Sequence, residues 1–245
     1  MGLILIILVA LIALIIAICV AWRYASRWCA LPCPWWLSWT LENRYIRALA
    51  DSRVLLDRMG LGVGMRLLDV GSGPGRVTVA AARRVGPSGK VVAMDIQLAM
   101  LREVERRVAV SGLTNVRTML SGIGEGKLEC DSFDRALLVA VLGEIPNQQL
   151  ALQEIHCALK PGGILSVTEI FPDPHYQTQS TVRRLVEQAG FQVVRTFGNF
   201  FAFTINVLKL DQNGRAATVI DSADSSEKPL HHEQRHNIAE SRPGR

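Results

Sequence analysis

Residues Leu68–Gly75 read LDVGSGPG, a short apolar stretch that runs directly into three closely spaced glycines. Glycine lets the backbone approach a ligand closely, and in open α/β sheets ligands bind where the parallel strands end. The next apolar stretch, Lys90–Met94, is followed by Asp95, 22 residues after Gly73. A carboxylate at that distance suits the two hydroxyls of a ribose. This region therefore predicts a site for a nucleotide-like ligand at the end of a first strand.

The rest of the chain alternates between strand and helix patterns on both sides of this stretch. Continuous apolar strands between amphipathic helices are typical of a parallel sheet covered on both faces, so we expect a doubly wound, Rossmann-like α/β fold. The predicted strands are Met65–Val70, Lys90–Met94, Val116–Leu120, Phe133–Val141, Gly163–Ile170, Phe191–Thr196 and Phe200–Leu208. The predicted helices are Leu41–Met59, Arg76–Val85, Gln97–Ser111, Asn147–Leu159 and Thr181–Ala189.

The spacing of the glycines bears on which nucleotide binds. A dinucleotide fingerprint, G-x-G-x-x-G, needs glycine or alanine at position 76, where this chain has Arg76. The third glycine is Gly75, which gives G-x-G-x-G. A ligand without a pyrophosphate has less need of the phosphate-binding start of a helix. A nicotinamide oxidoreductase is therefore the disfavoured alternative.

Together with three later motifs, LDVGSGPG resembles the first motif of class I S-adenosylmethionine-dependent methyltransferases. The similarity is greatest to the group with the ubiquinone/menaquinone methyltransferases and the small phospholipid N-methyltransferases. The supporting motifs are Asp95, Ser132-Phe133-Asp134 and Leu159-Lys160-Pro161-Gly162-Gly163. The resemblance extends from about Met65 to Leu208. It implies S-adenosylmethionine as cofactor and a seven-stranded, mostly parallel sheet whose last strand is antiparallel.

The resemblance also implies roles for individual residues. Asp69, Gly71, Ser72 and Gly73, with Gly75 in the same loop, would line the methionine part of the cofactor, Asp95 the ribose and Ile96 the adenine. The family often has Gly-Asp-Ala after the third strand, where the aspartate accepts the adenine amino group. This chain has Ser121-Gly122-Ile123 instead, so Gly122 and Ile123 would approach adenine through the backbone, and Glu125 is the candidate replacement for the carboxylate.

Four polar residues after the fourth and fifth strands are candidates for contact with the methyl acceptor. Glu144 can accept a proton or hold a cationic amine, although capping of the helix near Asn147 is an alternative role. Asp173, His175 and Tyr176 lie in a loop stiffened by prolines, which is also consistent with an ordinary surface loop. A base is needed only where the acceptor carries a proton that must leave.

The N-terminal run is the second distinctive feature of the chain. Leu3–Val20 consists almost entirely of Leu, Ile, Val and Ala, and a bilayer core needs about 20 such residues in a helix. A cleaved signal peptide would have basic residues before a shorter apolar core, and none precede this run. Arg23 and Arg27 follow it, which places the C-terminal side in the cytoplasm. We therefore expect a single-pass anchor in the plasma (inner) membrane.

These observations divide the chain into four parts: a transmembrane helix (1–22), a Trp-rich juxtamembrane segment with a helix (23–64), a methyltransferase domain (65–210) and a polar, disordered tail (211–245). The tryptophans after the run suit either the membrane interface or a cap on the domain. The five cysteines are scattered, so we expect neither a disulfide framework nor a metal site, and a reducing compartment is favoured. The sequence carries no signal of oligomeric state.

The sequence therefore predicts a membrane-anchored methyltransferase whose partners are the lipid bilayer and a hydrophobic acceptor, such as a quinone precursor, a phospholipid or an isoprenoid. Nucleic acid is not expected as a partner, because the chain shows no basic stripe interleaved with aromatic residues. The net charge of +5 is compatible with an anionic membrane surface. The remaining alternative is a non-catalytic, membrane-anchored assembly or regulatory protein with the methyltransferase fold.

Overall fold

Strands and helices alternate through the structure, which is a computed structural model that describes residues 2–29, 50–171 and 173–211. The helices are α1 (Gly2–Cys29), α2 (Ser52–Arg58), α3 (Arg76–Val85), α4 (Leu98–Val110), α5 (Gln148–Ala158) and α6 (Gln179–Gln188), with a 3-10 turn at Leu142–Glu144. The strands are β1 (Arg66–Val70), β2 (Lys90–Asp95), β3 (Val116–Leu120), β4 (Phe133–Val139), β5 (Leu159–Ile170), β6 (Phe191–Gly198) and β7 (Ala202–Lys209).

The seven strands form one sheet in the order β3-β2-β1-β4-β5-β7-β6. β1 pairs in parallel with β2 and with β4, and β4 with β5. β7 runs antiparallel to both β5 and β6. The doubly wound sheet with an antiparallel last strand is therefore confirmed. The chain order reverses between β1 and β4, which is the switch point where such sheets bind ligands.

Helices cover both faces of the sheet, as the apolar strands predict. One core cluster includes Leu138, Leu165 and Val186, and the other includes Leu56, Leu67 and Ala81. α3 buries a face of small and branched residues, whereas Arg83 and Arg84 lie in its last turn, where positive charge favours the helix dipole. This two-sided packing holds the ends of β1, β2, β4 and β5 in a row.

The helix before the sheet differs from its prediction of Leu41–Met59. Within the described residues it begins at Ser52, because Asp51 caps it by accepting hydrogen bonds from the backbone N–H groups of Arg53 and Val54. Residues 30–49, including most of the Trp-rich segment and the first part of that helix, lie outside the described residues, as does the polar tail from 212 onward.

α1 covers the apolar run, and its side chains are described only in part. Counted over the described residues, no helix of the chain is long and apolar enough to cross a membrane. The structure therefore does not support the predicted transmembrane anchor, which remains an inference from the sequence.

The cysteines differ from expectation. Cys130, just before β4, and Cys157, in the last turn of α5, form a disulfide across 27 residues of chain. We expected no disulfide framework and did not anticipate this single bond, because the count and scatter of cysteines say nothing about which of them the fold brings together. These two are adjacent because α5 returns to the start of β4, where Ser132 donates its backbone N–H to Ala158.

Candidate active site

The loop after β1 turns tightly against the neighbouring strand. The backbone N–H groups of Gly71 and Ser72 both donate to the carbonyl oxygen of Met94, at 2.8 and 3.0 Å. Gly71 has a φ of 67°, and a Cβ there would lie 2.5 Å from Cγ2 of Val141. Only glycine satisfies both conditions. Gly71 is therefore required by packing, whatever it contributes to a ligand.

Gly73 is different, because a Cβ at this position would meet no atom within 4 Å. Its backbone N–H donates to Oδ2 of Asp95 at 2.9 Å, and Oδ1 of the same carboxylate accepts the N–H of Gln97 at 2.9 Å. The loop after β1 and the end of β2 are thus joined through Asp95. Burial raises the pKa of Asp95, and these backbone donors lower it.

Asp69 lies below this loop rather than on its surface. It is almost fully buried, and its Oδ2 accepts the hydroxyl of Thr78 at 2.6 Å. Burial and, to a smaller extent, the charge of Asp95 raise the pKa of Asp69 to about 6. The hydrogen bond from Thr78 and the charge of Arg76 act in the opposite direction. Asp69 is therefore close enough to Asp95 for the charge of Asp95 to act on it.

The end of β3 brings a carboxylate to the place where the family's aspartate is missing. Glu125 folds back so that Oε1 accepts the N–H of Gly122 at 3.2 Å and Oε2 accepts the hydroxyl of Ser121 at 3.1 Å. A hydrogen-bonded Lys127 lowers the pKa of Glu125. Ile96 is 56% exposed and its Cγ2 lies close to Gly122, whereas Ile123 packs against the core.

These residues fit a nucleoside with a charged side arm. Ser72 Oγ is buried and has no hydrogen-bond partner within the described chain. The space above Gly73 is open, Asp95 lies beside it at the end of β2, and Ile96 offers an apolar face beside Glu125. An orphaned hydroxyl next to an open glycine is expected where a ligand completes the hydrogen bonding. We call this region, Asp69–Gly75 with Asp95, Ile96 and Ser121–Glu125, the cofactor edge.

The other half of the rim is formed by the segments after β4 and β5. The 3-10 turn packs on the second loop so closely that a Cβ at Gly143 would overlap the carbonyl group of His175. His175 is buried, and its backbone N–H donates to Oδ1 of Asp173 at 2.7 Å. The helix that follows is capped by Asn147, whose Oδ1 accepts the N–H of Leu150, so Glu144 is not needed as the cap.

Glu169 belongs to this cluster, although the sequence analysis did not select it. It is 1% exposed at the end of β5, and its Oε2 accepts the N–H of Gln177 at 3.1 Å. Burial raises its pKa to about 8, and the negative charges of Asp173 and Glu144 add to that effect. A single acidic residue within the otherwise uncharged stretch Gly162–Ile170 was the available signal. We call Glu144, Glu169 and Asp173–Gln177 the acceptor edge.

Aromatic side chains border the acceptor edge. Tyr176 is buried, donates its hydroxyl to the carbonyl oxygen of Phe200 at 2.7 Å, and lies edge-on to Phe171 and Phe203. Phe200 and Phe201, in the turn between β6 and β7, are 60% and 55% exposed. The predicted acceptor residues Glu144, Asp173, His175 and Tyr176 thus lie together, at the margin of an exposed apolar patch.

Comparison with known proteins indicates the family to which the chain belongs. The model of a family described as a methyltransferase domain matches residues 61–215. A demethylmenaquinone methyltransferase of Geobacillus stearothermophilus is 34% identical over 118 residues, which cover 48% of this chain and 50% of that protein. The ubiquinone/menaquinone biosynthesis C-methyltransferase UbiE of Coxiella burnetii is 30% identical over 143 residues, covering 58% and 56%. The chain thus spans about half the length of these curated relatives.

Among solved structures, a SAM-dependent methyltransferase from Aquifex aeolicus superposes with a TM-score of 0.68 at 24% identity, covering 73% of this chain and 100% of that one. This similarity concerns the fold, including the seven-stranded sheet. The family match covers well over half of the present chain and contains the whole cofactor edge. The chain therefore belongs to the class I S-adenosylmethionine-dependent methyltransferase family.

Proposed function

We propose that this chain transfers a methyl group from S-adenosylmethionine to a hydrophobic acceptor in or at a membrane, such as a quinone precursor, a phospholipid or an isoprenoid. The observation that carries the proposal is the joined loop of Gly73 and Asp95, which leaves open space beside an unpartnered buried hydroxyl. S-adenosylmethionine supplies an activated methyl group on a sulfonium sulfur. Methyl transfer then requires mainly proximity and orientation.

The residues of the cofactor edge divide this work. Each carboxylate oxygen accepts more than one hydrogen bond, so Asp95 can hold the ribose hydroxyls while it keeps Gly73 and Gln97 in place. Ile96 packs on the adenine, and Glu125 accepts the adenine amino group. Ser72 and the N–H groups around Gly73 hold the methionine part, with Asp69 beneath them.

The hydrophobic acceptor is supported by the surroundings of the acceptor edge. Phe171, Phe200 and Phe201 form an aromatic group at the end of β5, where parallel strands of such sheets end at their ligands. The similar proteins are described as a demethylmenaquinone methyltransferase in Geobacillus and a ubiquinone/menaquinone biosynthesis C-methyltransferase in Coxiella. Glu144, Asp173, His175 and Tyr176 would contact the acceptor or orient its reacting group.

Membrane attachment is the second element of the proposal. Leu3–Val20 has no charged residue, and described side chains of α1 such as Ile4 and Leu14 are exposed. Exposed aliphatic residues on successive turns require an apolar surrounding. Full-length protein should therefore remain with membranes after a carbonate wash, and removal of 1–27 should release most of it. Release of the full-length chain by carbonate would contradict the anchor.

Methyl-labelled S-adenosylmethionine tests the activity directly. We expect the full-length protein, incubated with membranes of its own organism, to put label into an organic-extractable product whose chromatography identifies the acceptor. Glu144→Gln should reduce labelling more than it reduces cofactor binding, whereas Glu187→Gln on the exposed side of α6 is the matched control. Label only in the aqueous phase or on protein would contradict a lipid acceptor. Cofactor binding without any turnover would favour the assembly or regulatory role.

A further inference from the structure

Glu169 is the most deeply buried acid of the acceptor edge. β5 places it one residue before the strand ends, paired with Phe203 of β7. Its Oε2 accepts the N–H of Gln177, but its Oε1 has no hydrogen-bond partner within the described residues. A buried polar atom without a partner costs about 1–3 kcal/mol, so a position that keeps one calls for an explanation.

The neighbours of Glu169 favour its neutral form. The charged groups that act on it are the carboxylates of Asp173, in the loop after β5, and Glu144, in the 3-10 turn after β4. The phenol of Tyr176 lies close enough for the two groups to influence each other. Burial raises the pKa of Glu169 to about 8, so the carboxyl group carries a proton at neutral pH.

The hydrogen bond from Gln177 determines which oxygen carries that proton. Because Oε2 already accepts an N–H, the proton belongs on Oε1, and a neutral carboxyl group then presents one O–H donor. Oε1–H is therefore a buried donor within the acceptor edge for which the described chain offers no acceptor. A buried neutral acid of this kind is well suited to donate a hydrogen bond to an oxygen of a substrate.

We propose that Glu169 binds the methyl acceptor, by donating a hydrogen bond from Oε1–H to a carbonyl or hydroxyl oxygen of that molecule. The inference rests on the proposed function and narrows it: the acceptor carries an oxygen beside an apolar body rather than a cationic amine. An ammonium group would require Glu169 as a carboxylate, against its burial and two neighbouring acids. Phe171 and Phe200 would contact the apolar part of the acceptor.

Oε1 has no accessible surface in this structure, so the acceptor reaches it when the loop Asp173–Gln177 shifts. Such a shift would have to break the contacts that hold the loop. They include the N–H bond from Gln177 to Glu169 and the bond of Tyr176 to Phe200, together with the close packing of His175 on Gly143. The hydrogen bond from Glu169 to the acceptor would compensate for part of the loop contacts that are broken.

The test uses full-length protein and two matched probes, 1-naphthol and naphthalene, which differ by one hydroxyl. The infrared spectrum of the wild type minus that of Glu169→Gln should contain the carbonyl band of a protonated carboxyl group at pH 7. 1-Naphthol should shift this band, and naphthalene should not. Glu169→Met should weaken binding of 1-naphthol roughly tenfold while leaving naphthalene unchanged, whereas Glu169→Gln, which keeps a donor, should retain most of the affinity.

Each result decides the matter. Absence of a protonated-carboxyl band at pH 7 would overturn the proposal, as would a band that 1-naphthol leaves unmoved. An equal loss of affinity for both probes in Glu169→Met would assign Glu169 a structural role only. If that variant does not fold, the infrared comparison with Glu169→Gln still tests the proposal. Loss of the band on addition of phenylethylammonium, without a response to 1-naphthol, would indicate an amine acceptor. These readouts need no turnover, so failure of the proposed methyl transfer would show separately, as wild-type protein that binds 1-naphthol but transfers no label from methyl-labelled S-adenosylmethionine to any acceptor.

Discussion

At the ends of β1 and β2 the site consists mostly of backbone, whereas at the ends of β4 and β5 it consists of side chains from separate loops. The cofactor edge depends on glycines, backbone N–H groups and one carboxylate that joins Gly73 to Gln97. The acceptor edge combines the buried Glu169 with Glu144, Asp173 and His175, and His175 packs against Gly143 of the 3-10 turn.

This difference indicates how far the residues and the ligand of each edge can change. A backbone site recognises one ligand of fixed shape and tolerates few substitutions, because the turn itself is the binding element. A side-chain site on loops can change its ligand while the sheet stays the same. We therefore expect substitutions at the cofactor edge to affect cofactor affinity, and those at the acceptor edge to affect the acceptor and the pH dependence of stability.

The largest expected effect on cofactor binding distinguishes two glycines of the same turn, Gly73 and Gly71. Gly73→Val has open space, so the protein should fold, but the side chain occupies the volume proposed for the cofactor. Affinity for S-adenosylhomocysteine should fall by about a hundredfold or more in calorimetry, equivalent to about 2.7 kcal/mol. Its positive φ of 52° adds a strain of order 1 kcal/mol to folding.

Gly71→Val is the contrast, because its side chain would overlap Val141. This variant should be destabilised by several times the strain at Gly73, as measured by thermal unfolding. Normal cofactor affinity in a folded Gly73→Val protein would place the ligand elsewhere and remove the basis of the comparison.

The cofactor edge was largely predictable because its signal is local. Gly71, Gly73 and the spacing to Asp95 lie within two consecutive strand-turn units, and the hydrophobic pattern located those strands to within a residue or two. β5 begins at Leu159 rather than Gly163 because the turn that precedes it also pairs with the start of β4. The acceptor edge depends on contacts between loops that are distant in sequence. Its candidate residues could therefore be recognised by type and position, but the contacts between them could not.

Glu169 shows why the acceptor edge was incomplete from sequence. Its burial and its proximity to Glu144 arise from the packing of the two loops, which no spacing rule encodes. The pairing of Cys130 with Cys157 was missed for the same reason, since it depends on the return of α5 to β4. Residue type alone did not distinguish Glu169 from an exposed acid at a strand end.

Glu169 of the acceptor edge should make the stability of the protein depend on pH. The folded-state pKa of Glu169 is about 8, above the ordinary value of 4.5, so the folded chain keeps a proton that the unfolded chain loses. Stability therefore falls as pH rises from about 4.5 to 8, and the loss is complete above that range. Glu169→Gln removes this loss and should be more stable than the wild type by about 5 kcal/mol at pH 9, since each pKa unit between 4.5 and 8 corresponds to about 1.4 kcal/mol.

Urea unfolding at pH 5, 7 and 9 measures that difference, with Ser166→Ala, a buried substitution on the same strand that does not titrate, as control. The advantage of Glu169→Gln should grow with pH. An advantage of equal size at all three values would mean that Glu169 is ionised throughout.

Asp95 is the residue of the cofactor edge that we expect to bind the ribose. Asp95→Ala removes the acceptor of the ribose hydroxyls and also releases the N–H groups of Gly73 and Gln97. We expect S-adenosylhomocysteine to bind more weakly by about 1–3 kcal/mol, the cost of leaving such groups unpaired. Asp95→Asn keeps one acceptor oxygen and should lose less. Equal affinities for wild type and Asp95→Ala would show that the ribose does not lie at β2.

The smallest expected effect concerns Glu125, where this chain departs from its family. Its carboxylate is held beside Gly122 and Ile96 and is half exposed, so water competes for the adenine amino group. Glu125→Gln should weaken binding of S-adenosylhomocysteine by only roughly three- to tenfold. An analogue that carries a carbonyl oxygen in place of the adenine amino group separates recognition from packing: the wild type should discriminate against it, and Glu125→Gln, whose side-chain amide can donate to that oxygen, should discriminate less. Lys127→Met is the control, because it removes the ion pair with Glu125 and leaves the carboxylate in place. If the wild type binds S-adenosylhomocysteine and this analogue equally, adenine is held by Ile96 and the backbone alone. Glu125 then does not take the place of the family's aspartate.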